Sequence, residues 1–418
     1  MSSDKDDLRL SDPHVFATGN PHDVWTRLRK EDPVHLTASA VDRDYWSVTK
    51  HADVQFVLKN AELFSSQQSG VSLPTNKEMA DPKKSEHARL AQAGAMLPTL
   101  DPPRHPKARA QFADRFTPKV VNALEDRVRM VTGKILDSVR DRRECDFVAD
   151  IAARLPISTI FTMMDIPEAD WPMLFNYANM HTAPEDPEFS IGTALETRQR
   201  GALGLVGYCR ELALERRAAP GTDLLSLIAA VAIDGEKLSD DELGFLGHMF
   251  VIAGQETTRN SLSAGMLELM RNPQEMDRFR RTPSLLKTAP DEFIRWATPI
   301  AHLMRTATAD VELGGKTIRK GDWVVNWLAS ANRDETVFKD PFRFDAGRSP
   351  NPHVSFGFGP HFCLGAFLGR LQIRVMMQTL MERFENIELA GDPQYVASIQ
   401  FTGLKRLRVG LTPRRAAA

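Results

Sequence analysis

From Ser239 to Asn272 the chain carries no proline, and the stretch opens with a strong helix-start signal. In "LSDDEL" Ser239 and Glu242 have capping-box spacing, and Leu238 and Leu243 stand where a hydrophobic staple fixes the entry of the chain. A helix of about 30 residues follows, roughly 45–50 Å long at 1.5 Å per residue, enough to cross a molecule of this size. The rest of the fold must pack around it. Its interior, "AGQETT" at 253–258, is poor helix material. A mid-helix glycine costs about 1 kcal/mol against alanine, and threonines that bond back to preceding carbonyls bend a helix. A sequence that keeps such a weak point gains something there, and function is the usual gain.

Around this element the pattern is mostly helical. "VVNALEDRVRMVTGKILDSV", "PEADWPMLFNYA" and "ALGLVGYCRELALERR" have helical spacing between Pro and Gly breaks, and a further helix is expected at 290–297. Period-two stretches are few. "DYWSVTK" reads as a strand near the N-terminus, and "DVELGGKTIRKGDWVVNWL" reads as a hairpin turned at Gly314-Gly315 followed by a buried strand. Residues 394–412 read as a strand-rich tail. Residues 64–100 are polar and weakly periodic, and a loop of that length usually has a function. With no internal repeat and no linker, the expectation is one unit over 1–418, mainly α with small β-sheets, with residues 1–20 a polar extension.

Composition narrows the function. A net charge of −2 argues against a general attraction to nucleic acid or acidic membranes. The N-terminus lacks the charged-then-apolar pattern of a secretion signal, and no apolar run is long enough for a membrane anchor, so a soluble, cytoplasmic protein is expected. Cys145, Cys209 and Cys363 are scattered, with no CxxC pair to suggest zinc or a redox dithiol.

One of the three cysteines stands apart. "FGFGPHFCLG", 356–365, surrounds Cys363 with Gly357, Gly359 and Gly365, which permit positive φ and close approach of the main chain to a flat partner. An amphipathic helix begins just after it, and a helix start favours thiolate over thiol. The stretch resembles the haem-binding signature FGxGxHxCxG of the cytochrome P-450 monooxygenases at every defined position. The resemblance implies that Cys363 is the axial thiolate of a haem b iron, with His361 facing a propionate and Phe356 packing near the ring. A thiolate opposite bound dioxygen promotes O–O cleavage.

The remaining motifs acquire roles through the same resemblance. Ala253 and Gly254 are expected to leave room for substrate and O2 over the haem, and Glu256-Thr257 to be the acid–alcohol pair that supplies protons. "DEFIRWATP" carries the ExxR pair, Glu292 and Arg295, buried near the haem loop with a structural role. Arg343 of "PFRF" is expected to complete it, with Arg348 as the second candidate. His105 and Arg109 match an HxxxR motif, and Arg305 in "HLMRTAT" completes, with His361, a set of four propionate partners. Met173, Met180, Phe245, Met249 and Phe250 are expected to line the substrate pocket, together with Ile300, Ala301, Ile399 and Phe401.

The expected reaction is insertion of one oxygen atom of O2 into an apolar small molecule such as a terpenoid or steroid. Since the chain shows no appended flavin or iron–sulfur module, a separate ferredoxin and ferredoxin reductase are the expected electron donors. Lys107, Arg115, Arg370 and Arg374 are the candidate docking charges. A peroxide-driven peroxygenase and a non-catalytic haem-thiolate sensor or carrier are the alternatives. The Glu256-Thr257 pair argues against the first and the absence of any DNA-binding or signalling segment against the second.

Overall fold

The computed structural model describes residues 3–39, 43–81, 83–84 and 96–414. Six helices bear on the site: α1 (Arg104–Ala113), α2 (Trp171–Thr182), α3 (Ala194–Ala218), α4 (Asp240–Arg271), α5 (Ala289–Ala297) and α6 (Ala366–Arg383). The expected long helix is α4, 32 residues in one piece. Ser239 Oγ accepts from the Glu242 amide while the Glu242 carboxylate accepts from the Ser239 amide at 2.8 Å, and Leu238 and Leu243 are both buried.

The surroundings of α4 explain why so polar a helix is stable. It packs on α3, α5, α6 and the helix Arg154–Met163, and most of its length is buried. At Gly265 a Cβ would fall 2.1 Å from the Phe293 ring, so α5 can lie against α4 only because that position is glycine. Local propensity is given up to gain helix–helix contact.

A five-stranded sheet forms the second lobe, in the order Val34–Thr37, Tyr45–Val48, Trp323–Trp327, His302–Ala307, Phe64–Ser65. Strands near the N-terminus are thus completed by two from the middle of the chain, with Val324 paired in parallel to Trp46 and antiparallel to Arg305. All five residues of Trp323–Trp327 are buried, which accounts for its nearly continuous apolar character, and the one polar member, Asn326, donates to the Leu303 carbonyl at 3.0 Å. The expected hairpin is present, Val311 pairing with Ile318 across a turn with φ of 58° at Gly314 and 74° at Gly315.

Of the expected polar extension at 1–20, the described part, 3–20, also contributes to the core. Leu10 and Phe16 are buried against a cluster containing Trp25 and Trp327. Of the expected loop at 64–100, the described parts are a short strand, the helix Lys77–Ala80 and the turn Leu97–Thr99, while 82 and 85–95 lie outside the described residues. The strand Phe384–Leu389, unforeseen in the sequence, pairs with Arg408–Pro413.

Candidate active site

The cysteine loop is a tight backbone structure. Gly357 and Gly359 have φ of 71° and 70°, and a Cβ on Gly359 would lie 2.8 Å from the Lys59 Cα. The Cys363 amide donates to the Phe356 carbonyl at 2.8 Å. Gly365, at φ −84°, needs no left-handed backbone, and a Cβ there would project into open space. Cys363 lies deep in the fold yet is accessible, because it faces a large cavity. Burial raises its thiol pKa, against the opposing pull of the Gly365 amide, Arg109 and Arg370. The helix start does not suffice to ionise it, and a bound metal cation would. Cys145 and Cys209, by contrast, are pushed to about 12 by burial and do not reach the cavity.

Across the cavity lies α4. Ala253, Gly254 and Thr257 line it, and the Thr257 hydroxyl donates to the Ala253 carbonyl at 3.1 Å, where the sequence was weakest. The room expected from Gly254 has a second user, since a Cβ there would lie 2.8 Å from Ile160. Glu256 does not line the cavity. It is buried in an ion pair with Arg259, one turn on, which also reaches the Asn179 side chain at 3.2 Å.

Four groups meet at one edge of the cavity. His105 and His361 stack with ring centroids 3.9 Å apart, and both nitrogens of His105 are buried without a hydrogen-bond partner. Burial pushes His105 down to about 4 and His361 far below its ordinary value. Beside them Arg109 and Arg305 have no ion pair among the described residues, and burial brings Arg305 down to about 10. The nearest carboxylate, Asp101, is engaged by Ser65 and by the Ser66 amide. Arg305 Nη1 donates to the Met304 carbonyl at 2.8 Å, but buried cations without a paired carboxylate are costly, and such a set suits a ligand bringing two carboxylates.

Glu292 and Arg295 are fully buried and joined by two bonds of 2.7 Å. The expected third member is corrected. Arg343 is exposed and contributes only its carbonyl, whereas Arg348 Nε donates to Glu292 Oε2 at 3.1 Å. The reason is local: Phe344 turns into the core beside Phe293, which directs its neighbour Arg343 outward. The cluster reaches the cysteine loop through Arg295 to the Asn332 carbonyl, Asn332 to Ser355, and Ser355 to the Ile294 carbonyl.

Among the expected pocket residues, Met249, Phe250, Ile300 and Phe401 line the cavity. Met180, Phe245, Ala301 and Ile399 do not, and Met173 is exposed. Ala301 and Ile399 are core beneath the sheet, Phe245 packs with Met96 and Val206, and Met180 lies against Gly201 of α3. The sequence reading missed His181, Arg198 and His248, which line the same cavity from three different helices. Their spacing carries no common motif. Three of the four expected docking charges are engaged: Lys107 by Asp234, Arg370 by Asp291 and Arg374 by Glu125.

A helical fold with an accessible cysteine across a cavity from a long helix, and two arginines and two histidines gathered at the cavity edge, describes a haem-thiolate protein. The sequence profile of the cytochrome P-450 family matches residues 207–282 and 284–397. The chain is 36% identical over 400 residues to steroid C26-monooxygenase of Mycolicibacterium smegmatis, covering 94% of this chain and 91% of that protein. It is 34% identical over 409 residues to linalool 8-monooxygenase of Pseudomonas putida, covering 97% and 99%. A Mycobacterium marinum cytochrome P-450 in complex with pseudoionone superposes with a TM-score of 0.86 at 34% identity, over 94% of this chain and 96% of that one. The chain belongs to the cytochrome P-450 family, and is a haem-dependent monooxygenase.

Proposed function

We propose that the protein hydroxylates a lipophilic terpenoid or steroid-like molecule, as one haem-thiolate domain in the cytoplasm receiving electrons from a ferredoxin and its reductase. The observation that carries this reading is the cavity itself, which runs from Cys363 to Thr257 and is walled chiefly by apolar side chains such as Phe116, Ile160, Phe250 and Leu303. The named activities of the steroid and linalool monooxygenases support the substrate class. No helix among the described residues is long and apolar enough to cross a membrane.

The residues present fit haem. Cys363 would hold the iron, His105, Arg109, Arg305 and His361 the propionates, and Phe356, Gly357 and Gly365 the face beside the sulfur. Bound haem supplies the activation of O2 that no side chain can perform. The chain's own part is binding, orientation and proton supply. Thr257 offers a hydroxyl at the cavity wall, and Glu256, held by Arg259, is the carboxylate behind it. Apolar walls exclude bulk water and leave the substrate few polar anchors.

The test is a carbon monoxide difference spectrum on the reduced protein, then a terpenoid and steroid library screened for displacement of the water ligand. Turnover with a surrogate ferredoxin follows. A thiolate-type band with NADH-dependent hydroxylation is expected. Turnover with peroxide alone would overturn the monooxygenase assignment, and a band without turnover would leave a haem-binding carrier.

A further inference from the structure

The end of the cavity remote from the cysteine is not apolar. Arg198 of α3, His181 of α2 and His248 of α4 converge there, the two imidazoles edge to face at 4.7 Å. Burial next to Arg198 pushes His248 to about 3, so it is a neutral ring that brings no charge to the site. Arg198 has no ion pair among the described residues. Its Nε is sealed from solvent and has no hydrogen-bond acceptor among the described residues, and its Nη1 reaches only the Met79 sulfur, at 4.0 Å. Glu185 is close enough to favour the cation, but its carboxylate is engaged by the Thr75 hydroxyl.

The cost of that arrangement requires an explanation. An arginine fork without a paired carboxylate at the wall of a chiefly apolar cavity is expensive in the empty protein, and a planar carboxylate satisfies it in a bidentate geometry. Its place along α4 also sets a length. His248 stands nine residues before Thr257, so the polar end lies about 13 Å from the reacting end.

We propose that Arg198 is a specificity-determining residue that receives the carboxylate of an amphipathic substrate whose apolar body extends toward Thr257. The inference rests on the monooxygenase reading above and narrows its substrate class, from any lipophile to one carrying an acid at the end opposite the site of oxidation. None of the four propionate partners is involved, since they occupy the other edge of the cavity around Cys363.

The experiment is a spectral titration of the ferric, haem-loaded protein with dodecanoate and with methyl dodecanoate. The pair matches in chain length and differs in charge. The native protein binds the acid tighter than the ester by about tenfold or more, the discrimination expected of a site built to pair a buried polar group. Arg198→Gln abolishes that preference by weakening the acid and sparing the ester, while Arg198→Lys keeps part of it. The carbon monoxide band is recorded for every variant. Equal affinity for acid and ester in the native protein, an equal loss for both in Arg198→Gln, or no response to either ligand with an intact thiolate band overturns the proposal. Absence of the band itself would instead overturn the haem-thiolate reading beneath it.

Discussion

The pairing of Arg348 rather than Arg343 with the ExxR cluster gives a test in which two neighbouring arginines should behave oppositely. Arg348 is 9% exposed and donates to Glu292 at 3.1 Å, to the Lys339 carbonyl at 2.7 Å, and to the Asp340 and Arg343 carbonyls at 3.2 and 2.9 Å. Replacing it with alanine removes one charge-assisted bond to a fully buried carboxylate. Water at the exposed edge can replace its bonds to the three carbonyls. Because Glu292 keeps Arg295, the loss stays below the roughly 3–5 kcal/mol of a wholly abandoned buried charge and near about 2–3 kcal/mol. The Arg343 guanidinium makes no hydrogen bond among the described residues, so Arg343→Ala should stay within about 0.5 kcal/mol of the native protein. Urea unfolding of the haem-loaded variants, followed by tryptophan fluorescence with the slopes compared, measures both. The thiolate absorption followed in parallel should fall with Arg348→Ala first, because the cluster is tied to the cysteine loop through Asn332 and Ser355. A cost for Arg343→Ala equal to or greater than that for Arg348→Ala would refute the assignment.

Other perturbations follow from the same geometry. Cys363→Ala should abolish the thiolate band, while Cys209→Ala, at a buried position that does not line the cavity, should keep it; retention of the band in Cys363→Ala would sink the site. Thr257→Ala should bind haem normally and divert electrons to hydrogen peroxide, and full coupling in that variant would remove the hydroxyl from proton supply. Glu256→Gln should slow turnover by about a hundredfold or more with unchanged substrate-induced spectral shifts, whereas an unaltered rate would leave Glu256 a purely structural partner of Arg259. His302 accepts from the Leu73 amide at 3.0 Å and its other nitrogen bonds the Ile399 carbonyl, and burial pushes it to about 4. Its folded pKa is thus depressed, so its contribution is full above the unfolded value near 6.5 and is lost as pH falls toward 4, by roughly 3 kcal/mol in all. His302→Gln should flatten that part of the stability–pH curve, and an unchanged slope would contradict the buried neutral ring.

Much of the architecture was legible in local pattern. The capping box at Ser239 and the proline-free run located α4, and the two glycines at 314 and 315 located the hairpin, because caps and tight turns are decided by a few adjacent residues. The cysteine loop was legible for the same reason, its backbone constraints and its nucleophilic sulfur lying within ten positions. Phe245 and Met180 were misplaced because an apolar side chain on a helix fits a cavity wall and a helix interface equally well, and only the rotation of α3 and α4 against each other distinguishes them. Arg343 was misplaced because the direction of a side chain in an irregular segment depends on which neighbour the core accepts.

The amino-acid order alone therefore determined the elements, the sulfur and the family of chemistry, all written in contiguous stretches. Only the folded chain decided which charges are paired and which are left open. It turned Glu256 toward Arg259, gave Glu292 its partner in Arg348 and brought Arg198 beside His181 and His248, residues separated by up to 67 positions. The physical reason is that an isolated polar side chain looks alike whether solvated, paired or awaiting a ligand, and burial, which tells them apart, is a property of the whole packing.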